Sequence, residues 1–181
     1  MSYDHIEYSI NGKQIPSPLY PDELKNILKK WANKESYDND CYAGSKLGND
    51  LNPYADHPAN AKLHFIRDEK IINIIVPALK RSYPNLNFKV TGHFIYGPGD
   101  FMDEHTNISN PSNVMYLTYA TGKSKFSYRF SQDDDLIETY DNIDGLTVRT
   151  FTLTSSPPYT FHKVDCESGY RVSVGLRYVE L

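Results

Sequence analysis

The spacing of hydrophobic residues changes from a helical period in the first half of the chain to a strand period in the second half. A first helix is predicted from residue 21 to about 33, with an acidic start and an apolar face formed by Leu24, Ile27, Leu28 and Trp31. A second helix is predicted to begin near Asp68, and Pro77 is expected to kink or shorten it. The residues of this helix that are predicted to be buried are Ile71, Ile72, Ile74, Ile75 and Leu79.

From residue 87 onward, apolar residues alternate with polar ones or form short runs, as is typical of β-strands. The predicted strands are 87–96, 113–120, 124–130, 136–141, 146–154, 159–164 and 170–179. Many short strands after two helices favour a mainly β sandwich or barrel, with the helices packed on one sheet.

Residues 34–64 are rich in Asn, Asp, Gly and Pro and are predicted to form a long loop. Its aromatic and polar residues either cover a binding site or belong to an ordinary surface loop. These residues are Tyr37, Tyr42, Tyr54 and His57.

The composition narrows the class of protein. The 181 residues are expected to form one domain, with residues 1–86 supplying helices and a loop and residues 87–181 the core. A net charge of −4 argues against sequence-independent binding of nucleic acids. The sequence shows no signal peptide and no apolar run of membrane length, so a cytoplasmic protein without a membrane partner is expected. The two cysteines lack the spacing of a metal site or a disulfide framework.

Two histidines and one asparagine form the most informative pattern. His105 and Asn107 are two residues apart, so they would lie on one face of a strand, and His162 lies in a later strand. A His two residues before a carboxylate, together with a distant His, is the facial triad that binds Fe(II) in non-haem oxygenases. Asn107 has an amide where that triad has its carboxylate. Each histidine alone is more simply explained as a surface or hydrogen-bonded residue.

The strand that follows His162 carries an arginine suited to an anion. Alternation places Arg171, Ser173, Gly175 and Arg177 on one face. An arginine fork beside a hydroxyl can bind a carboxylate with two hydrogen bonds, which the distal carboxylate of 2-oxoglutarate would require. The simpler alternative is a salt bridge between Arg171 and an acid such as Asp165 or Glu167.

Residues 88–179 resemble the Fe(II)- and 2-oxoglutarate-dependent dioxygenases, specifically the prolyl-4-hydroxylase-like branch. The resemblance rests on Tyr-Gly-Pro-Gly at 96–99 before His105, the strands 114–121 and 145–153, Phe-His-Lys-Val at 161–164 and Gly-Tyr-Arg-Val-Ser-Val at 169–174. It implies a double-stranded β-helix, or jelly roll, of the cupin type with N-terminal helices packed on its larger sheet.

The same resemblance implies roles for single residues. His105, Asn107 and His162 would hold Fe(II), and Arg171 would bind 2-oxoglutarate with help from Ser173 and Tyr119. Tyr96 would lie near the metal, and the strand face that Tyr119 shares with residues 115 and 117 would line the pocket. O₂ and, as a reductant, ascorbate would take part in hydroxylating a C–H bond of a prolyl, peptidyl or small amino-acid-like substrate.

Asn107 leaves three interpretations open. Iron binds with weak or no ligation by residue 107, and one form of this is a halogenase-like variant in which a halide takes the position. Alternatively, Asp100, Asp103 or Glu104 supplies the missing charge. In the third interpretation the position has been altered, leaving a protein that binds the cosubstrate with little turnover. The alternatives to a hydroxylase are therefore a non-catalytic jelly-roll binding module and a cupin-type isomerase or sugar-binding protein.

Overall fold

The computed structural model describes residues 5–12, 15, 22–33, 41–44, 58, 60–66 and 68–181. Its helices are α1 (Asp22–Ala32) and α2 (Glu69–Ser82). Its strands are β1 (His5–Ser9), β2 (Cys41–Gly44), β3 (Ala61–Ile66), β4 (Leu86–Tyr96), β5 (Phe101–His105), β6 (Ser112–Ala120), β7 (Ser124–Arg129), β8 (Ile137–Tyr140), β9 (Leu146–Leu153), β10 (Phe161–Cys166) and β11 (Arg171–Glu180). None of these helices is long and apolar enough to cross a membrane.

The strands form a nearly closed jelly roll. They are hydrogen-bonded in the order β1-β9-β6-β11-β4-β3-β5-β10-β7-β8, and β2 lies beside β3. β3 joins the two sheets, because His64 and Phe65 pair with β4 whereas Ala61 and Lys62 pair with β5. The mainly β jelly-roll fold with two helices, which the sequence predicted, is confirmed.

The helices pack on the outer face of the sheet that contains β4, β6 and β11. Leu24 and Leu28 of α1 and Ile71 and Ile75 of α2 are fully buried there against the sheet. Each such side chain contributes about 1.5–3 kcal/mol when it is removed from water. Asp68 couples the two helices, since its carboxylate accepts hydrogen bonds from the Lys70 backbone N–H and from Trp31 Nε1, both at 3.0 Å. This packing leaves the opposite face of the sheet to line the interior of the jelly roll.

Two details of α2 differ from the sequence prediction. The helix continues through Pro77 to Ser82, so the expectation that Pro77 shortens it is wrong. Pro77 lies on the exposed side, while the adjoining Ala78 and Leu79 are buried and hold the helix on the sheet. Ile72, predicted to be buried, is 42% exposed.

The predicted loop 34–64 contains two strands in its described part. β2 and the first residues of β3 fall within it, and β3 is central because it bridges the sheets. Tyr37, Tyr54 and His57 lie outside the described residues, as does the side chain of Tyr42. The prediction that these residues cover a binding site therefore stays a prediction.

Candidate metal and carboxylate site

The interior of the jelly roll contains a cavity of about 330 Å³ that opens between the two sheets. Polar and charged side chains from three parts of the fold meet in it. They include His105 at the end of β5, Asn107 two residues beyond it, His162 of β10, and Arg171 and Ser173 of β11. The structure thus brings six of the seven predicted site residues to one cavity, since Tyr96 at the end of β4 also lines it.

The two histidines form a pair at one wall of the cavity. His105 and His162 are directly opposite each other in the β5–β10 pairing, and their ring centroids are 4.2 Å apart. His105 Nδ1 donates to the Asp103 carbonyl and His162 Nδ1 to the Thr160 carbonyl, both at 2.9 Å. A carbonyl oxygen only accepts, so each ring has a proton on Nδ1, and in its neutral form the lone pair is on Nε2. Metal-binding histidines are oriented by this kind of backbone hydrogen bond.

The environment of His162 keeps it neutral. Burial, followed by the nearby His105, lowers the pKa of His162 well below its usual value. The Phe126 ring stacks on His162 at 5.6 Å, and the rings of Phe151 and Tyr116 lie 5.4 and 6.5 Å away. A neutral imidazole in an apolar wall is a nitrogen ligand rather than a cation at neutral pH.

Asn107 lies in a turn beyond the end of β5, so strand alternation does not position it. Its φ of 54° is in the left-handed region, which Asn and Asp adopt more readily than other non-glycine residues. The turn brings Asn107 Nδ2 to 3.3 Å from His162 Nε2, where the amide N–H donates to the lone pair of that nitrogen. Rotation of the amide about its last side-chain bond would present Oδ1 at the same place.

The three acids that could replace a carboxylate at position 107 all bind elsewhere. Asp100 accepts from the Gly97 N–H and pairs with Lys62, and Asp103 accepts from Asn60. Glu104 forms a two-pronged pair with Arg129, in which Nε and Oε2 are 2.9 Å apart.

No Asp or Glu belongs to the cavity lining that the described residues form. In this part of the chain there is likewise no cluster of three or more His, Cys, Asp or Glu side chains that could hold a metal. The prediction that a neighbouring acid compensates for Asn107 finds no support in this arrangement.

Arg171 lies at the end of the cavity opposite the histidine pair, and one nitrogen of its guanidinium donates no hydrogen bond to a described residue. The residue is fully buried, its Nε donates to Asp141 at 2.8 Å, and its Nη2 donates to Thr118 at 3.2 Å. Its Nη1 is buried and has no hydrogen-bond partner among the residues that the structure describes. Leaving a charged donor unpaired in a protein interior costs about 1–3 kcal/mol or more, so this position favours an anionic ligand.

Arg171 belongs to a buried network that the sequence did not predict. Asp141 accepts from Arg149 Nη1 at 2.5 Å, from Arg171 Nε at 2.8 Å and from Ser124 Oγ at 2.6 Å, and Arg149 is also fully buried. Burial alone would raise the pKa of Asp141, but Arg171, Arg149 and the Ser124 hydroxyl hold it far below its usual value. The network of two arginines and one aspartate therefore retains one positive charge.

The acids proposed as simpler partners of Arg171 have other partners. Asp165 pairs with Lys163 at 3.0 Å, and Glu167 pairs with Lys123 at 2.7 Å. Arg171 does form a salt bridge, as the simpler alternative predicted. Its partner, however, is Asp141, which lies 30 positions earlier in the chain.

Ser173 and Tyr96 line the cavity beside Arg171. Ser173 Oγ lies 3.5 Å from Thr118 Oγ1, the same oxygen that accepts from Arg171. The Arg171 guanidinium lies over the Tyr96 ring at 5.3 Å, and burial raises the pKa of the Tyr96 hydroxyl. Ser173 is therefore placed to donate to a carboxylate at Arg171, and Tyr96 forms part of the wall beside it.

Tyr119 does not lie at the cavity. It faces the helices with Met115 and Leu117 in the outer core, and its hydroxyl is 3.5 Å from Asp144 Oδ1. The expected role of Tyr119 at the cosubstrate, and of residues 115 and 117 as a pocket wall, is therefore wrong. The sequence correctly predicted that residues 115, 117 and 119 share one face of β6. The face that points into the jelly roll is the other one, which carries Tyr116 and Thr118. These two residues are directly opposite Gly175 and Ser173 of β11.

The residues present fit, to different degrees, the two groups that the sequence resemblance implies. The unpaired Arg171 Nη1 and the Ser173 hydroxyl fit a carboxylate of 2-oxoglutarate. The two imidazole Nε2 atoms and an amide oxygen of Asn107 fit a divalent transition metal such as Fe(II), with one negative charge fewer than a facial triad provides.

Comparisons with known proteins give no sequence relative. No protein-family model and no curated protein sequence matches the chain. Among solved structures, a prolyl-4-hydroxylase from Pseudomonas putida is 14% identical with a TM-score of 0.48, and the match covers 87% of each chain.

Two further solved structures are similar in fold. A 2OG-Fe(II) oxygenase family protein from Burkholderia pseudomallei is 10% identical with a TM-score of 0.44, over 77% of this chain and 68% of that one. The Drosophila melanogaster CENP-C cupin domain is 7% identical with a TM-score of 0.39, over 87% and 97%. All three similarities concern the fold alone.

Proposed function

We propose that this protein is an Fe(II)- and 2-oxoglutarate-dependent oxygenase that hydroxylates a C–H bond of a prolyl, peptidyl or small amino-acid-like substrate. One observation carries the proposal. Arg171, whose buried Nη1 has no hydrogen-bond partner among the described residues, lines the same cavity as His105 and His162. A carboxylate binder and a metal-binding pair in one cavity are the two groups that this chemistry needs.

Each part of the cavity has a defined task in this proposal. Arg171 and Ser173 bind and orient the distal carboxylate, while His105, His162 and Asn107 hold the metal. The metal and its cosubstrate, when bound, supply the activation of O₂. The aromatic wall around His162 excludes water from the metal, which strengthens every charge interaction inside the cavity.

The test is an anaerobic titration with Fe(II) and 2-oxoglutarate, following the weak visible absorption band of the chelate, and then a measurement of succinate after air is admitted. The expected result is a band and slow formation of succinate. Replacing Arg171 with Gln should weaken 2-oxoglutarate binding by about 2–5 kcal/mol, because a buried charge pair is broken.

Arg81→Gln is the matched control for that variant. Arg81 undergoes the same chemical change on the exposed surface of α2, where it pairs with Glu23, and should bind like the unaltered protein. Arg171→Lys tests the charge separately if Arg171→Gln does not fold. Unchanged affinity in a folded Arg171→Gln protein would contradict the assignment of the carboxylate site.

The second candidate is a binding module without turnover, and Asn107 favours it. The amide gives the metal site no negative charge, and the nearby acids are bound to Lys62, Asn60 and Arg129. A protein of this kind would bind 2-oxoglutarate but form no succinate in air. If Asn107→Asp then formed succinate, the amide itself would be the cause.

A further inference from the structure

A second arginine faces the same cavity as Arg171. Arg171, Ser173, Gly175 and Arg177 alternate along one face of β11, and all four line the cavity. At the usual rise of a β-strand, roughly 20 Å of backbone separates Arg171 from Arg177. Arg171 is at the buried end of β11, whereas Arg177 is near the end where Val179 is 59% exposed.

The histidine pair lies between the two arginines. Gly175 is directly opposite Tyr116 of β6, and a Cβ at Gly175 would be 3.1 Å from Tyr116 Cε1. The absence of a side chain at Gly175 thus leaves room for the Tyr116 ring, whose centroid is 6.5 Å from that of His162. A ligand that is bound by Arg171 and reaches the histidines therefore leaves Arg177 on the far side of them.

The positive charge of Arg177 is not neutralised by any described residue. It is half-buried, and it forms no hydrogen bond or ion pair with its side chain within the described part of the chain. Its charge acts inside the cavity, since burial raises the pKa of Tyr116 to about 12 while Arg171 and Arg177 both act to lower it. Lys89, directly opposite Arg177 on β4, is exposed and does not line the cavity.

The charges of the cavity do not balance without a further anion. Arg171 with Asp141 and Arg149 retains one positive charge, and Arg177 adds a second. A divalent metal and the dianion 2-oxoglutarate cancel each other. Because Asn107 contributes no charge, two positive charges remain in a low-dielectric space, where an anion is bound more strongly than in water.

The size of the cavity limits what that anion is. About 330 Å³ lies at the lower end of the range for small-molecule sites. That volume is enough for a five-carbon dicarboxylate together with a compact second molecule.

We propose that the substrate is a small molecule with a free carboxylate, which Arg177 binds on the opposite side of the histidine pair from Arg171. This inference rests on the proposed function and names the substrate class of the same site. It favours a free amino-acid-like acid over a residue within a peptide, because a peptide bond has no charge for Arg177 to pair with.

The experiment measures binding rather than turnover. The protein is loaded with Mn(II) and 2-oxoglutarate without O₂ and titrated by calorimetry with the standard L-amino acids, each compared with its primary amide. At least one acid is expected to bind about 10-fold or more tightly than its amide, since a charged hydrogen bond is replaced by a neutral one. In Arg177→Gln that preference should fall to about 1, and Arg177→Lys should retain part of it.

Lys89→Gln is the matched control, because it removes the same charge from the neighbouring position outside the cavity. It should keep the acid preference of the unaltered protein. The inference is overturned if no acid binds more tightly than its amide, or if Arg177→Gln and Lys89→Gln behave alike. The titration with 2-oxoglutarate and no amino acid distinguishes a failure of the proposed function from a failure of the role of Arg177. Failure to bind 2-oxoglutarate would refute the proposed function, whereas binding of 2-oxoglutarate without an acid preference would refute only the role of Arg177.

Discussion

Replacing Arg149 with Gln should weaken the binding of 2-oxoglutarate although Arg149 does not line the cavity. Arg149 holds one oxygen of Asp141 at 2.5 Å, and Arg171 holds the other at 2.8 Å. Because Arg149 neutralises Asp141, the positive charge of Arg171 is not cancelled. Without Arg149, the charge of Asp141 would cancel that of Arg171, and an anion at Arg171 Nη1 would meet a neutral site.

The size of the effect follows from the arrangement of these charges. Two unit charges roughly 8 Å apart interact by about 2 kcal/mol at an effective dielectric constant of 20. Arg149→Gln should thus weaken 2-oxoglutarate binding roughly 30-fold. Asp141→Asn removes a negative charge instead of a positive one. It should therefore weaken 2-oxoglutarate binding less than Arg149→Gln does, or strengthen it. The double variant Asp141→Asn with Arg149→Gln restores the single positive charge and should bind close to the unaltered protein.

Both single variants break a buried ion pair and should lower the free energy of unfolding by about 3–5 kcal/mol. Affinity must therefore be measured by calorimetry on Mn(II)-loaded protein at a temperature at which circular dichroism shows each variant to be folded. A merely structural role would give the double variant the weakest binding. That order of affinities, or an Arg149→Gln protein that binds like the unaltered one, would refute the charge argument.

Three further predictions follow from the site. Asn107→Asp should raise Mn(II) affinity by roughly 10-fold or more, because a charged oxygen replaces a neutral one beside a dication and Asp tolerates the φ of 54°; metal titration measures this. Tyr119→Phe should leave 2-oxoglutarate affinity unchanged in calorimetry, because the hydroxyl faces Asp144 outside the cavity. The pKa of Asp141 is lower in the folded than in the unfolded protein, so its contribution to stability is present above about pH 5 and is lost as the pH falls below about 4. The difference in Tm between the unaltered protein and Asp141→Asn should accordingly shrink as the pH is lowered from 6 to about 3.

Each of these has an outcome that would contradict it. Asn110→Asp adds the same charge to an exposed turn three positions after Asn107, and equal metal affinity in both variants would remove the role of position 107. Weaker 2-oxoglutarate binding by Tyr119→Phe would mean that Tyr119 acts on the cavity despite its position. A difference in Tm that stays constant over the pH range would show that Asp141 is not stabilised as a charged group.

Local signals were enough to predict most of the elements. The change of hydrophobic period near residue 87 and the Gly, Pro, Asn and Asp punctuation predicted seven strands, which appear as β4 and β6–β11 with ends shifted by at most two residues or so. β1, β2, β3 and β5 were not among the predicted strands. β3 lies within a stretch with loop composition, and its strand conformation depends on pairing with both β4 and β5. Such pairing with distant residues is not encoded in a local pattern.

The candidate site shows the same division. The sequence by itself determined the donor types, namely two imidazoles, an amide and an arginine beside a serine, because these are properties of the residues and of strand alternation. Only the tertiary structure decided which face of β6 points inward. Tyr116 therefore lines the cavity, and Tyr119 does not. It also decided that Asp141 is the partner of Arg171 and that one guanidinium nitrogen remains free. The physical reason is that alternation sets which residues share a face, whereas the packing of helices on one side of a sheet determines which face becomes the interior.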